Sequence, residues 1–450
     1  MKKLAKFLIP VLAIVLVAAL CAIPMTAADN VIFVKDGGTG DGSSADSALK
    51  PTTGNYDPTT SNTARQKDHA LYQAIVKLLE NGGGTIVVCG PIVLDLTTGQ
   101  SNNETTRDFM FDASLHTDDV TITYTSVYNG VDYRETAGAK LVLGTGSHVV
   151  LPSPSVFENM TIAAGAENRG FCAGGHALTF NPGTLFEPYD ASLAADPKAY
   201  PVICGGERYK KNTMNPVITV DVGESPVGHI YGGQYGIGSG YDMLEGSSTK
   251  VIIKSGTFLG DIGGGARHSG TMLFGNSEIL IEGGVFKGTI NAIGNGGFGD
   301  VNSTATVVIS GGDFTDCFGV YDSAVGITGN LAKYALLDLS NASNEVASAI
   351  QGISAGFTET VLPAGFAPVT TAAPETTAAP ETTTAAPETT AAPETTAPAE
   401  EDDETTSPAP STPAAPKAEG GAPIGLIIGI VAAVIVIAVI VVVVLKKKKA

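Results

Sequence analysis

The 450-residue chain contains no tryptophan, only six histidines, and 26 lysines and arginines against 45 aspartates and glutamates. A net charge of −19 argues against nucleic acid and anionic membrane surfaces as partners, since both require a basic footprint. Seven of the lysines sit at the two ends of the chain, and removing them takes the net charge of the intervening part from −19 to −26. Without tryptophan, a sugar-stacking platform has to be built from tyrosine and phenylalanine. Five cysteines are present and none is in CxxC spacing, which argues against a zinc site. Beyond Cys21 these are Cys89, Cys172, Cys204 and Cys317. Export would permit disulfides, but runs such as IVVCG and VICGG suit small buried thiols in a core.

Both ends carry an address. Residues 1–28 combine Lys2, Lys3 and Lys6 with an apolar run from Phe7 to Ile23 and small residues at Thr26, Ala27 and Ala28. That is the three-part pattern of a secretory signal. Residues 423–445 form an almost unbroken Ile/Val/Ala/Leu run, long enough as a helix to span a hydrocarbon layer of roughly 30 Å. The lysines of 446–450 follow at once and mark a cytoplasmic tail. Residues 368–422 are Thr/Pro/Ala/Glu-rich and have almost no large apolar side chains, so they are expected to be a disordered stalk. At about 3.1 Å per residue, extended polyproline II over this length reaches roughly 150 Å. No LPxTG-like sequence precedes the apolar run, which favours retention in the bilayer over transfer to a cell wall. The expected location is a cell membrane, crossed once, with residues 29–367 outside.

Within that ectodomain one phrase recurs. VIIKSGTF, ILIEGGVF and VVISGGDF place Phe258, Phe286 and Phe314 28 residues apart, with Val251, Ile279 and Val307 in one register and Ile253, Ile281 and Ile309 in another. Gly256, Gly284 and Gly312 share a third register, where the chain must turn at positive φ or approach another backbone closely. A period of this size in a Gly-rich, β-branched sequence signals stacked copies of one supersecondary unit. Each coil then buries an apolar face against the next, about 4.8 Å away, and like residues superpose. ALLDL at 335–339 falls on the same grid, Ala335 matching Val251 and Leu337 matching Ile253, but lacks the phenylalanine, as a terminal coil would.

DHALYQAIVKLLE at 68–80 reads as an amphipathic helix, with Leu71, Ala74, Ile75 and Leu78 on one face, Asp68 as cap and Gly82 closing the end. NGGGTIVVCGPIVL reads as a strand pair. VTITY (120–124), KLVL (140–143), VFENMTI (156–162) and PVITV (216–220) read as further strands. The helix followed by NGGGTIVV, preceded by VIFVKDGGTGDGSSADSALK, resembles the N-terminal cap and first coil of the pectin-lyase-like right-handed parallel β-helix superfamily. VFENMTI is similar to its F-x-N strands. The resemblance covers most of residues 29 to about 360 and implies an all-β, right-handed parallel β-helix with an N-terminal capping helix. A β-sandwich is the competing fold, and it would show no 28-residue recurrence.

The resemblance also raises polysaccharide lyase and glycoside hydrolase chemistry. A hydrolase of that superfamily would carry Asn-Thr-Asp, a paired Asp, Gly-His-Gly and a basic motif on successive coils. Here Asp118-Asp119 and Gly174-Gly175-His176 are present, Asn-Thr-Asp is missing and Gly-His-Gly is incomplete. Glycosidic hydrolysis needs two cooperating carboxylates, and Asp118 and Asp119 read more simply as a turn before VTITY. Lyase chemistry would need a cationic base, for which Arg267-His268 with Asp261 is the best pair. Asp36, Asp41 and Asp46 have oxygen-rich spacing that could hold Ca2+, although such clusters mostly mark turns.

A binding role draws on three loops that follow equivalent strands and should project from one edge. They carry Tyr231, Tyr235, Tyr241, Arg267, His268, Phe298 and Asp300, a mixture able to stack on a sugar and bond its hydroxyls, or else to pack locally beneath the loops. The expected role is recognition of an extracellular glycan or surface protein. A surface-anchored lyase or hydrolase and a purely structural envelope component are the alternatives.

Overall fold

In the computed structural model the described residues are 30–51, 67–94, 109–144, 148–207, 214–235, 243–267, 273–294, 303–317, 325–329 and 332–368. The chain divides into two units, Met1–Ala373 and Pro374–Ala450, and every described residue belongs to the first. The expected signal, stalk and membrane span lie outside the described residues. Among the described residues no helix is long and apolar enough to cross a membrane.

The described chain is mostly β, wound into three parallel sheets of twelve, eight and four strands. The first sheet begins with Val31–Val34, Gly84–Val88 and Ile122–Thr125, and runs rung by rung to Glu359–Val361. Each rung pairs in parallel with the next, so equivalent side chains form columns. One inward column reads Ile86, Tyr124, Phe157, Phe180, Val220, Ile253, Ile281, Ile309, and every member is buried. The second sheet contributes Phe171, Ile203, Ile230, Ile262, Ile290 and Ile327 in the same way. The third contributes Ile92, Leu141, Ile162 and Phe186. These columns belong to one continuous core.

The 28-residue repeat is the register of this stack. Phe258 lies on Phe286 with ring centroids 5.1 Å apart and planes 9° apart, and Phe286 lies on Phe314 at 4.7 Å and 6°. The glycine column sits against those rings. Gly256, Gly284 and Gly312 have φ of 140°, 105° and 117°. A Cβ at Gly312 would lie 2.9 Å from the Phe286 ring. Glycine is therefore required twice over, by conformation and by space.

Three expectations about the strands change. Leu337 pairs with Val307 and Ala335 with Ala305, so the last step is 30 residues and not 28. The two extra residues lie between the strands, and an even insertion leaves inward positions inward. VFENMTI is two strands, Ser155–Glu158 on the first sheet and Thr161–Ala164 on the third, broken at Asn159 with φ 48°. NGGGTIVVCGPIVL likewise splits into Gly84–Val88 and Pro91–Leu94 on different sheets.

Helix α1 (Ala70–Glu80) packs beside the first three rungs and buries Leu71, Ala74, Ile75 and Leu78 in the core. Its cap is His69, whose Nδ1 accepts from the Leu71 N–H at 3.1 Å, and not Asp68. Gly82, with φ 81°, follows the C-cap Asn81 as expected. The short helix α2 (Tyr133–Ala137) follows a two-stranded hairpin, and α3 (Asn344–Ile353), capped by Ser343, comes between the last rungs. Cys89, Cys172, Cys204 and Cys317 are all buried thiols. Cys172 and Cys204 are register partners on adjacent rungs.

Candidate functional site

Tyr231, Gly263 and Asn291 are register partners in the second sheet. Three or four residues later, at Tyr235, Arg267 and Gly294, the described chain stops in each rung, and it resumes on the first sheet by 243, 273 and 303. The three segments between these points run from the second sheet to the first on consecutive rungs. Tyr241, His268, Phe298 and Asp300 fall in those segments, outside the described residues. Tyr231, Tyr235 and Arg267 can be placed.

Tyr231 is 2% exposed, in the outward column that also holds Val150, Cys172 and Cys204. Tyr235 is 3% exposed and packs in the same satellite cluster. Its ring lies 4.6 Å from the His148 ring, and its hydroxyl donates to the Asn168 carbonyl at 2.6 Å. Arg267 covers the ring, with its guanidinium carbon 4.5 Å from the centroid, and Nη2 donates to Asn168 Oδ1 at 2.8 Å. Tyr235 and Arg267 thus fold back across the outside of the second sheet and strap it to the turn at Asn168. Cation–π contact and two hydrogen bonds occupy the groups that a sugar would need. These residues shape the edge from below.

Deeper in the stack, Asp261 Oδ1 accepts from the Thr289 N–H at 3.2 Å and its hydroxyl at 2.7 Å. His229 Nδ1 accepts from the Asp261 N–H at 3.0 Å, as His148 Nδ1 accepts from the Gly170 N–H at 2.8 Å. Both imidazoles cap an N–H of the next rung at the same corner. Burial pushes the His229 imidazole down, with Asp261 pulling the other way. A nitrogen that accepts from backbone carries no proton, so the 3.7 Å approach of Asp261 Oδ2 to Nδ1 is a neighbourly contact and no ion pair.

A second cluster joins fragments far apart in sequence. Asp118 lies in the bend before Ile122–Thr125, and His176 ends the Gly174-Gly175 turn before Ala177–Phe180. The strand Ser155–Glu158 lies between these two rungs. Asp118 Oδ1 nevertheless meets His176 Nδ1 at 2.6 Å, and His176 Nε2 lies 3.3 Å from His116 Nδ1. The His176 side chain is 9% exposed and that of Asp118 81%, so the chain runs from solvent into the wall. Gly174 and Gly175 reach this geometry at φ 68° and 94°. Their N–H groups donate to Gly206 and Gly205 of the next rung. The Gly-Gly-His phrase was visible in the sequence. His116 was not, because nothing in a lone histidine after ASL announces a partner 60 residues away.

Among the described residues no group of three or more His, Cys, Asp and Glu side chains is placed to hold a metal. Asp36 Oδ2 accepts from the N–H of Val93, in the strand Pro91–Leu94, at 2.9 Å, and Asp41 Oδ1 accepts from the Ser43 N–H at 3.0 Å as a turn acceptor. An open cleft of about 370 Å³ beside α1 is lined by Asn30, Asp41, Ser43, Lys77 and Asn81, among others. It offers one cation and one carboxylate but no second carboxylate for glycosidic chemistry.

The architecture is that of a parallel β-coil solenoid. No family model, curated protein or solved structure matches the chain.

Proposed function

We propose that this chain is a cell-surface recognition protein that binds an extracellular glycan or protein along the loop corner of its solenoid. A C-terminal span holds it to the membrane and a stalk raises it. The resemblance to right-handed, pectin-lyase-like β-helices belongs to the same reading. The observation that carries it is the register of the loop departures. Tyr231, Gly263 and Asn291 are partners on consecutive rungs, so the three segments that follow them start from a common rigid edge. The strap of Tyr235, Arg267 and Asn168 stiffens that edge, as a recognition surface with low ordering cost requires.

Detergent-solubilised full-length chain applied to a glycan array, with a parallel turnover assay on acidic polysaccharides, tests this reading. Saturable binding without turnover is expected. Formation of new unsaturated or reducing ends would make the protein an enzyme instead. Self-association of the chain with neither binding nor turnover would make it an envelope component.

A further inference from the structure

The His116–His176–Asp118 chain has no part in the recognition edge proposed above, and its geometry is specific. Two imidazole nitrogens from different rungs, His116 Nδ1 and His176 Nε2, stand 3.3 Å apart. If each bound one ion at about 2.1 Å, the angle at the ion would be about 105°, close to tetrahedral. Asp118 Oδ1, 2.6 Å from His176 Nδ1, keeps the proton on that nitrogen and leaves Nε2 unprotonated to accept from His116 Nδ1, so an ion bound by both nitrogens takes the place of that shared proton, which is released to solvent. A carboxylate behind a ligating imidazole fixes its tautomer, orients its ring and raises its basicity.

The backbone around both histidines is held. Gly174 and Gly175 are bonded to the next rung, the His176 N–H donates to the Ala173 carbonyl at 3.2 Å, and the Thr117 N–H donates to the Pro152 carbonyl at 2.9 Å. Thus the two nitrogens are fixed by the coil, not by flexible loops. Asp118 sits on the far side of His176, so it is an orienting group and not a ligand.

We propose that His116 and His176 form a two-histidine site for a borderline divalent cation of the zinc, cobalt and nickel class, with Asp118 orienting His176 from behind. Imidazole nitrogen selects such ions over calcium and magnesium, which take oxygen. Solvent completes the coordination, so the ion keeps open positions.

The test uses the untagged full-length chain in detergent, stripped with chelator and titrated with Co2+ alone. One Co2+ per chain is expected, with the visible absorption of a nitrogen-ligated ion, displaced by Zn2+ and not by Ca2+. His176→Ala and His116→Ala should abolish uptake. His116→Gln, which keeps a hydrogen-bonding side chain, should also abolish it while melting like the parent. Asp118→Asn should weaken affinity about ten-fold or more. Independently of any variant, Zn2+ should raise the melting temperature of the parent chain. Absence of Co2+ uptake, or uptake unchanged in the histidine variants, would overturn the site and leave the pair a hydrogen bond.

Discussion

Single side chains in this protein do the work that a turn or a cap needs, and two of them are chemically marked. His69 is largely buried, its side chain 15% exposed, which pushes its imidazole down to about 4. Its Nδ1 must be bare to accept from Leu71, so the fold holds the neutral form. A histidine with a depressed folded pKa contributes stability that is complete above its unfolded value of about 6.5 and is lost as pH falls toward 4. The full effect is about 3 kcal/mol. Protonation also brings a partial return, because Asp36 Oδ1 lies 3.8 Å from Nε2 and pairs only with the charged ring. The melting temperature should therefore fall between pH 6.5 and pH 4, and His69→Ser, which keeps a capping oxygen, should flatten that fall. An unchanged slope in the variant would place the acid sensitivity elsewhere. Cys317 is the second such residue. Burial first, and then Asp261, push its thiol up to about 12. It should resist iodoacetamide at pH 8 in the folded protein and react once denaturant is added, as read by mass spectrometry.

At the level of elements, the sequence was legible wherever identity recurs and illegible wherever pairing is distant. The phenylalanine, aliphatic and glycine columns follow from the 28-residue spacing, and the face of α1 from its periodicity. The last coil misled, since ALLDL sits on the grid by coincidence of phase while its true partners lie two residues away. VFENMTI misled differently, because an apolar run carries no mark of the corner at Asn159 that sends its halves to two sheets. The hairpin Val127–Tyr128 with Val131–Asp132 had its signal in plain view, Asn129-Gly130 at φ 50° and 79°. Of the candidate edge, only the loop origins were readable. Whether Tyr235 faces solvent or folds back depends on Asn168, 67 residues earlier.

The glycine column gives the sharpest test at this scale. Gly284 combines φ 105° with 3.0 Å from a built Cβ to the Phe258 ring. Gly284→Ala should destabilise by roughly 1–3 kcal/mol through backbone strain alone, measured by denaturant midpoint. An exposed loop glycine such as Gly130 would show strain without the ring contact, so its alanine variant should cost less.

The described part of the chain is a stack in which each strand of the parallel sheets pairs only with strands of the rungs before and after it, yet its main apolar core is one cluster from Val34 to Ile350. These two facts pull in opposite directions. Nearest-neighbour bonding favours graded unfolding, coil by coil, whereas a shared core favours a single transition. Phe286 decides between them, because it lies between two stacked rings and is 1% exposed. Its replacement by alanine removes both contacts and leaves a cavity, at a cost of about 3–5 kcal/mol. If rung-to-rung coupling dominates, amide exchange should accelerate across Met243–Phe258, Leu273–Ile281 and Thr304–Ile309, while Val31–Val34, Gly84–Val88 and Ile122–Thr125 keep their parent rates. That local pattern is the expected one, since the N-terminal rungs have α1 and their own tyrosine and phenylalanine column, with Tyr124 stacked 4.4 Å from Phe157. Uniform acceleration along the chain would instead make the solenoid one cooperative unit, and a loop edge carried by its middle rungs would then share the stability of the whole.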